Sequence, residues 1–240
     1  MLRSDGTVGR EDRADWSSKP VSRTIEFWYD LISPYSYAAF GRIAELPEDV
    51  ELRPRALLFG AVLAHYRHLG PAELAPKRLF TYRQAVHLIA SLGLPVSFPP
   101  RHPFNPLGAN RLLAGAHDGA GATLDEVRSA FTFVFGHGGA VDTVEGLAAL
   151  TEHLGLEPEL ATMQQSKDRL KANTQEAIEA GVFGVPTFVP LDDKGRRGPV
   201  FWGVDGMDLL IDWLDDPMLF EKQPYVGLET IEVGVRRERS

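Results

Sequence analysis

The stretch Thr24–Ile32 constrains the fold of this chain most, because it reads as a buried strand that runs straight into Ser33-Pro34. It is rich in β-formers, with Ile25, Phe27, Trp28, Tyr29, Leu31 and Ile32. Serine is a favoured N-cap and proline a favoured first helical residue, so Ser33 should stand at a strand-to-helix junction. The helix should run to about Leu46. Val50 to Phe59 reads as a second strand, closed by Gly60. Strand, helix and strand in that order imply a right-handed βαβ unit with parallel strands.

The next hundred residues change character. Glu73 to Leu92 carries helical spacing at Leu79, Tyr82, Val86 and Ile89. Pro95 to Pro106 is a proline-rich loop, and Leu107 to Ala116 and Leu124 to Phe135 read as helices. Asp142 and Glu145 resemble a capping box that opens a helix ending near Gly155. No strand is expected between Gly60 and Leu160. The β signal then returns. A helix over Ser166–Ala180 closes at Gly181, and a strand follows over Pro186–Leu191. Asp192-Asp193-Lys194-Gly195 turns the chain back into Pro199–Trp202, and Asp205 caps a last helix. The expected class is α/β: a thioredoxin-like fold with a large all-helical insertion. Residues 24–60 and 161–215 would form the thioredoxin-like domain and 61–160 the insertion. Residues 1–23 would be a mobile tail, and 216–240 a C-terminal extension.

Composition narrows the chemistry. The chain has 240 residues, enough for a proper core, and a formal net charge of −8 without a basic stripe, which argues against a nucleic-acid partner. No apolar run reaches the roughly 18 residues needed to span a bilayer. Residues 1–23 lack an apolar signal-peptide core, so the cytoplasm is the expected compartment. The cysteine count is zero, which excludes disulfides, thiolate zinc sites and cysteine nucleophiles.

The position of Ser33-Pro34-Tyr35-Ser36 is where thioredoxin-like redox proteins hold Cys-x-x-Cys. With serine at both outer positions, disulfide exchange is impossible. A hydroxyl at a helix N-terminus can still donate to the thiolate of an external thiol. The helix dipole contributes roughly 0.3–2 kcal/mol and the charge-assisted hydrogen bond about 1.5–3 kcal/mol. Together these are worth about one to three pKa units. Taken alone, Ser33 reads first as an ordinary helix cap. The second feature is Gly184-Val185-Pro186-Thr187, where a proline opens a strand after a helix. A cis bond costs little only before proline, and it would turn the main chain of Val185 outward to pair with an extended peptide. Taken alone, Pro186 reads first as a trans-proline on an edge strand.

Taken together, these features resemble the 2-hydroxychromene-2-carboxylate isomerase family, which is related to kappa-class glutathione transferases and to the DsbA-like domain. The matching stretches are FWYDLISPYSYAAF at 27–40, PAELAPKRLFTYRQ at 71–84, GLPVSFPPRHPFNP at 93–106, NTQEAIEAGVFGVPTFV at 173–189 and FWGVDGMDLLIDWL at 201–214. The resemblance implies glutathione as cofactor, with its sulfur held by Ser33 and its backbone beside Val185 and cis Pro186. It implies a conjugated aromatic carboxylate as substrate, isomerised in aromatic catabolism by reversible thiolate addition. Tyr35, His68 and Asn105 would face that substrate, and Asp168 would lie near the γ-glutamyl end. A homodimer is typical of the family. The chain departs from the family pattern at His68, where asparagine is common, and around Met163-Gln164-Gln165-Ser166-Lys167-Asp168. The alternatives are a kappa-like glutathione transferase or peroxidase, and a glutathione- or peptide-binding module without turnover.

Other candidates are weaker. His65 and His68 lack a third metal ligand, and His87, His102, His117, His137 and His153 have no ligand spacing. Lys77 and Arg83 read as solvated helix surface or as steering charges for an anionic substrate. Gly136-His137-Gly138-Gly139 precedes no P-loop lysine and reads as an interhelical loop.

Overall fold

A computed structural model describes residues 23–235, so the expected N-terminal tail lies outside the described residues except for Arg23. Arg23 is already the first residue of strand β1 (Arg23–Tyr29). Its guanidinium holds Asp49 at 2.6 Å and the Leu214 carbonyl at 2.7 Å.

The sheet has four strands in the order β2-β1-β3-β4, with β2 at Val50–Ala56, β3 at Thr187–Leu191 and β4 at Phe201–Trp202. β1 and β2 are parallel, as the strand–helix–strand order implies, and β3 runs antiparallel to β1 and to β4. β1 is therefore central, and both of its faces are covered. The pleat sends Ile25, Phe27 and Tyr29 into the larger core. There Phe27 stacks on its ladder partner Phe188 at 5.2 Å and meets the edge of Phe40 at 5.6 Å. Burying each such ring is worth roughly 1.5–3 kcal/mol. Trp28 faces the other way, among Leu57, Val62, Ala177, Val182 and Val189. Arg55 and Arg197 lie over its ring at 4.8 and 5.6 Å. Arg197 pairs with the buried Glu26 at 2.7 Å and Arg55 with Glu176 at 2.6 Å, so the charges on this face are matched.

Helix α1 (Pro34–Ala39) is shorter than expected. It ends at Ala39, and a single 3₁₀ turn over Ile43–Glu45 replaces its C-terminal half. The break lies beside Gly41, which lets the chain pack closely on the end of α3 (Ala75–Ser91): a Cβ there would fall 2.6 Å from Leu92 Cβ. The second strand is also shorter than expected. Leu57 N–H still bonds Tyr29 O at 2.9 Å, but Phe59 opens helix α2 (Phe59–His65). An apolar run as short as Leu57–Val62 does not distinguish strand from helix by its pattern.

Four helices follow: α4 (Leu107–Gly119), α5 (Leu124–Phe131), α6 (Val144–Leu154) and α7 (Gln164–Glu179). Among the described residues no strand lies between Ala56 and Thr187. The expected cap at Asp142 is displaced. Thr143 caps α6 by accepting from Gly146 N–H at 3.0 Å, while Asp142 pairs with Arg101 at 3.0 Å. The capping box lies instead at Thr123 and Glu126 on α5. α4 crosses α7 very closely, because a Cβ on Gly115 would stand 1.9 Å from Ser166 Oγ. The last helix, α8 (Gly206–Asp215), begins after Asp205, whose side chain makes no capping bond.

Candidate active site

β1 ends at Tyr29, and three residues carry the chain to Ser33, whose N–H donates to Asp30 O at 2.9 Å. Ser33 Oγ accepts from Ser36 N–H at 3.2 Å and so caps α1. The same hydroxyl lies 3.5 Å from the carbonyl of Val185, which comes from the far end of the chain. The Val185–Pro186 bond is cis. The two motifs that are ambiguous separately in sequence thus meet at one point. Both Ser33 and Val185 line a single cavity of about 670 Å³. Ser36 is fully buried and is not part of its wall, and its hydroxyl has no hydrogen-bond partner among the described residues.

The cavity wall is largely apolar, with Phe59, Leu63, Pro71, Phe104, Leu107 and Trp202. Tyr35 and Asn105 also line it. Tyr35 donates its hydroxyl to Gln84 Oε1 at 2.9 Å, and burial pushes its ionisation upward. Asn105 Oδ1 accepts from Leu107 N–H at 3.1 Å, so it also shapes the entry into α4. The structure does not bring His68, Asp168 or Pro186 to this wall. His68 is exposed, with Nδ1 3.0 Å from Leu69 O. Asp168 accepts from Gln164 Nε2 at 2.9 Å and lines an adjoining depression that shares Leu58, Ala61 and Leu107 with the cavity. Lys77 and Arg83 lie on the exposed surface of α3, away from the cavity. Among the described residues no group of three potential metal ligands exists.

Sequence reasoning missed the polar residues behind Ser33. Asp30 is buried and reaches the cavity wall. Its carboxylate accepts from Ile32 N–H at 3.0 Å, Phe59 N–H at 2.8 Å and Asn110 Nδ2 at 2.7 Å. Asn110, on α4, also donates to Leu57 O at 3.1 Å and accepts from Leu31 N–H at 3.2 Å. One amide therefore joins the ends of β1 and β2 to the helical segment. His102, in the proline-rich loop, places Nε2 2.8 Å from Ile32 O and Nδ1 3.1 Å from the Tyr82 hydroxyl. A carbonyl only accepts, so Nε2 carries the proton. Burial holds the ring's pKa below the ordinary histidine value, against the bond to Ile32. The ring is thus a neutral clamp on the residue before Ser33. The only trace of Asp30 in the sequence is an acidic residue at the exit of an apolar strand.

Burial raises the Asp30 carboxyl from 3.8 to about 6, opposed by the donors of Ile32, Phe59 and Asn110. Below about pH 3 the group is protonated in both folded and unfolded chains. As pH rises toward 6 the unfolded chain loses its proton first, so this group removes stability on the order of 3 kcal/mol by neutral pH. Denaturant unfolding of the wild type and of Asp30→Asn should show a stability difference that shifts by that amount between pH 3 and pH 7. A difference independent of pH would contradict it.

Comparison with known proteins identifies the family. The family model described as DSBA-like thioredoxin domain matches residues 24–215. A 2-hydroxychromene-2-carboxylate isomerase of Pseudomonas putida is 28% identical over 194 residues, covering 78% of this chain and 91% of that protein. Glutathione S-transferase kappa 2 of Caenorhabditis elegans is 25% identical over 224 residues, covering 85% of this chain and 99% of that protein. A solved structure of 2-hydroxychromene-2-carboxylate isomerase superposes with a TM-score of 0.66 at 26% identity, covering 82% of this chain and 97% of that one. The sheet interrupted by helices is the fold this family model describes, the match spans most of the chain, and the chain belongs to the DSBA-like thioredoxin domain family.

Proposed function

We propose that this chain is a glutathione-dependent isomerase of the 2-hydroxychromene-2-carboxylate type, acting on a conjugated aromatic carboxylate. The observation that carries the reading is the Ser33 hydroxyl, set beside the Val185 carbonyl at the wall of an apolar cavity, in a chain without cysteine. A thiol nucleophile then comes from outside the chain. Glutathione, when bound, supplies a thiolate that adds to the conjugated system, lets the resulting single bond rotate and leaves again. Ser33 donates its O–H to that sulfur, turning away from the weak 3.5 Å contact with Val185 O. Val185 offers its main chain to the peptide backbone. Tyr35, Asn105 and the apolar wall hold the conjugated rings and exclude water. His102 and Asp30 keep the Ile32–Ser33 segment in place.

The reading extends to a role in aromatic catabolism, a cytoplasmic site of action and a homodimer. No described helix is long and apolar enough to cross a membrane. A second reading, a kappa-like transferase, is supported by the kappa-class relatives and uses the same thiol site with an irreversible conjugation. Incubation with glutathione and 2-hydroxychromene-2-carboxylate, followed by absorbance, separates the two. The expected result is equilibration with the ring-opened trans isomer, strictly dependent on glutathione. Conjugation of an aryl halide without isomerisation would transfer the assignment to the second reading. Glutathione binding with neither reaction would leave a binding module, and no binding would overturn both enzymatic readings.

A further inference from the structure

The cavity that receives the conjugated rings has a marked electrostatic gap. Among the described residues its wall carries no lysine or arginine, and the acidic side chains that line it are Asp30 and Glu73. A carboxylate pushed into this space would lose water without gaining a counter-charge, which is strongly unfavourable. The adjoining depression, of about 830 Å³, is different. It continues from the cavity past Leu58, Ala61 and Leu107 and is lined by Arg111, Lys167 and Lys171. Arg111 projects from α4, one residue after the Asn110 amide that anchors this helix beneath Ser33. Lys167 and Lys171 are one turn apart on α7.

Within the described chain, Arg111, Lys167 and Lys171 have no ion-pair or hydrogen-bond partner. This contrasts with Arg23, Arg42, Arg55 and Arg197, each of which is paired with a carboxylate. Arg111 and Lys167 are also part-buried. In a chain of net charge −8, such cations have many possible acidic partners, yet these face a concavity instead. The one carboxylate in that lining, Asp168, is held by Gln164.

We propose that Arg111, with Lys167 and Lys171, receives a carboxylate of the bound ligand while the apolar part of the ligand occupies the cavity beside Ser33. This inference rests on the proposed function, because it assigns the charged end of the ligands used at the same site. Two sources share the chemistry: a carboxylate of glutathione, or that of the aromatic substrate. An arginine fits either in bidentate fashion.

The test uses the full chain as wild type, Arg111→Gln and Lys167→Gln. Titration calorimetry gives the affinity for glutathione and for glutathione esterified at its glycyl carboxylate. Steady-state rates give KM and kcat for 2-hydroxychromene-2-carboxylate at saturating glutathione. Arg111→Gln should weaken the contacted ligand about tenfold, a charge-assisted contact discounted for partial exposure. Lys167→Gln should have a smaller effect of the same sign. Both effects should shrink at high salt, and the unfolding midpoint should stay unchanged. Weaker binding of glutathione, with the ester already weak in the wild type, assigns the glycyl carboxylate. Weaker binding of glutathione and ester alike assigns the γ-glutamyl end. A raised KM for the acid with kcat and glutathione affinity kept assigns the substrate. Affinities and KM within about twofold of wild type in both variants overturn the proposal. Failure of wild type to bind glutathione sinks the proposed function, whereas an Arg111-dependent affinity for the acid would keep this site. A wild type that binds neither carboxylate overturns both.

Discussion

Replacing Asn110 by alanine should lower the unfolding free energy by about 3–5 kcal/mol, the largest loss expected from any single side chain behind the site. Asn110 is fully buried and serves three partners: Asp30, Leu57 O and Leu31 N–H. Truncation leaves each of them without a bond that water cannot replace, at roughly 1–3 kcal/mol apiece and less than additively. It also removes a donor that holds the Asp30 pKa down, so that carboxyl should titrate above its present value of about 6. Urea unfolding measures the first effect, and carbon NMR of the aspartate carboxyl the second. A loss below about 1 kcal/mol would show that the Asn110 bonds are dispensable.

Replacing Ser33 by alanine should leave the fold standing and reduce kcat/KM at pH 7 by roughly 10- to 100-fold, the equivalent of a charge-assisted hydrogen bond of about 1.5–3 kcal/mol. The stability cost is that of a lost cap, about 1 kcal/mol, because Oγ serves Ser36 N–H. The short helix sharpens this expectation. α1 ends at Ala39, so its dipole is that of six residues, and its Ser36 N–H is already taken by Ser33. The hydroxyl therefore contributes most of the thiolate stabilisation. The rate deficit should narrow as pH is raised to about 9, where the thiol ionises unaided. A deficit that persists undiminished would assign Ser33 to positioning and not to ionisation.

The parts of the site that follow from local rules are legible in the sequence. Ser33-Pro34 after a run of β-formers has one reading as a junction, and Val185-Pro186 before Thr187 places a second backbone turn in the right order. What decides between a plain cap and a thiol-holding hydroxyl is their meeting across the sheet, a long-range contact that no local pattern contains. The early end of α1 is equally hard to read, since the close packing of Gly41 on Leu92 is a tertiary feature. Asp30 and Asn110 are ordinary polar residues until burial makes their bonds expensive to lose. Arg111 was invisible because nothing in its neighbourhood of the sequence marks the concavity shared with α7, whereas Lys77 and Arg83, the more conspicuous cations, lie on the exposed surface of α3. Asp168 follows in sequence only from the family resemblance, and the structure sets it in that depression and not on the cavity wall.

The central claim is that Ser33 holds an external thiol as thiolate. Thiolate absorbs in the ultraviolet where the thiol does not, and a chain without cysteine gives no background signal of that kind. A pH titration of the saturated glutathione complex should therefore read the ionisation of the bound thiol directly. The account predicts a pKa near 7, about one to two units below the free thiol's value of about 8.5. A bound thiol that ionises at or above 8.5 would contradict it.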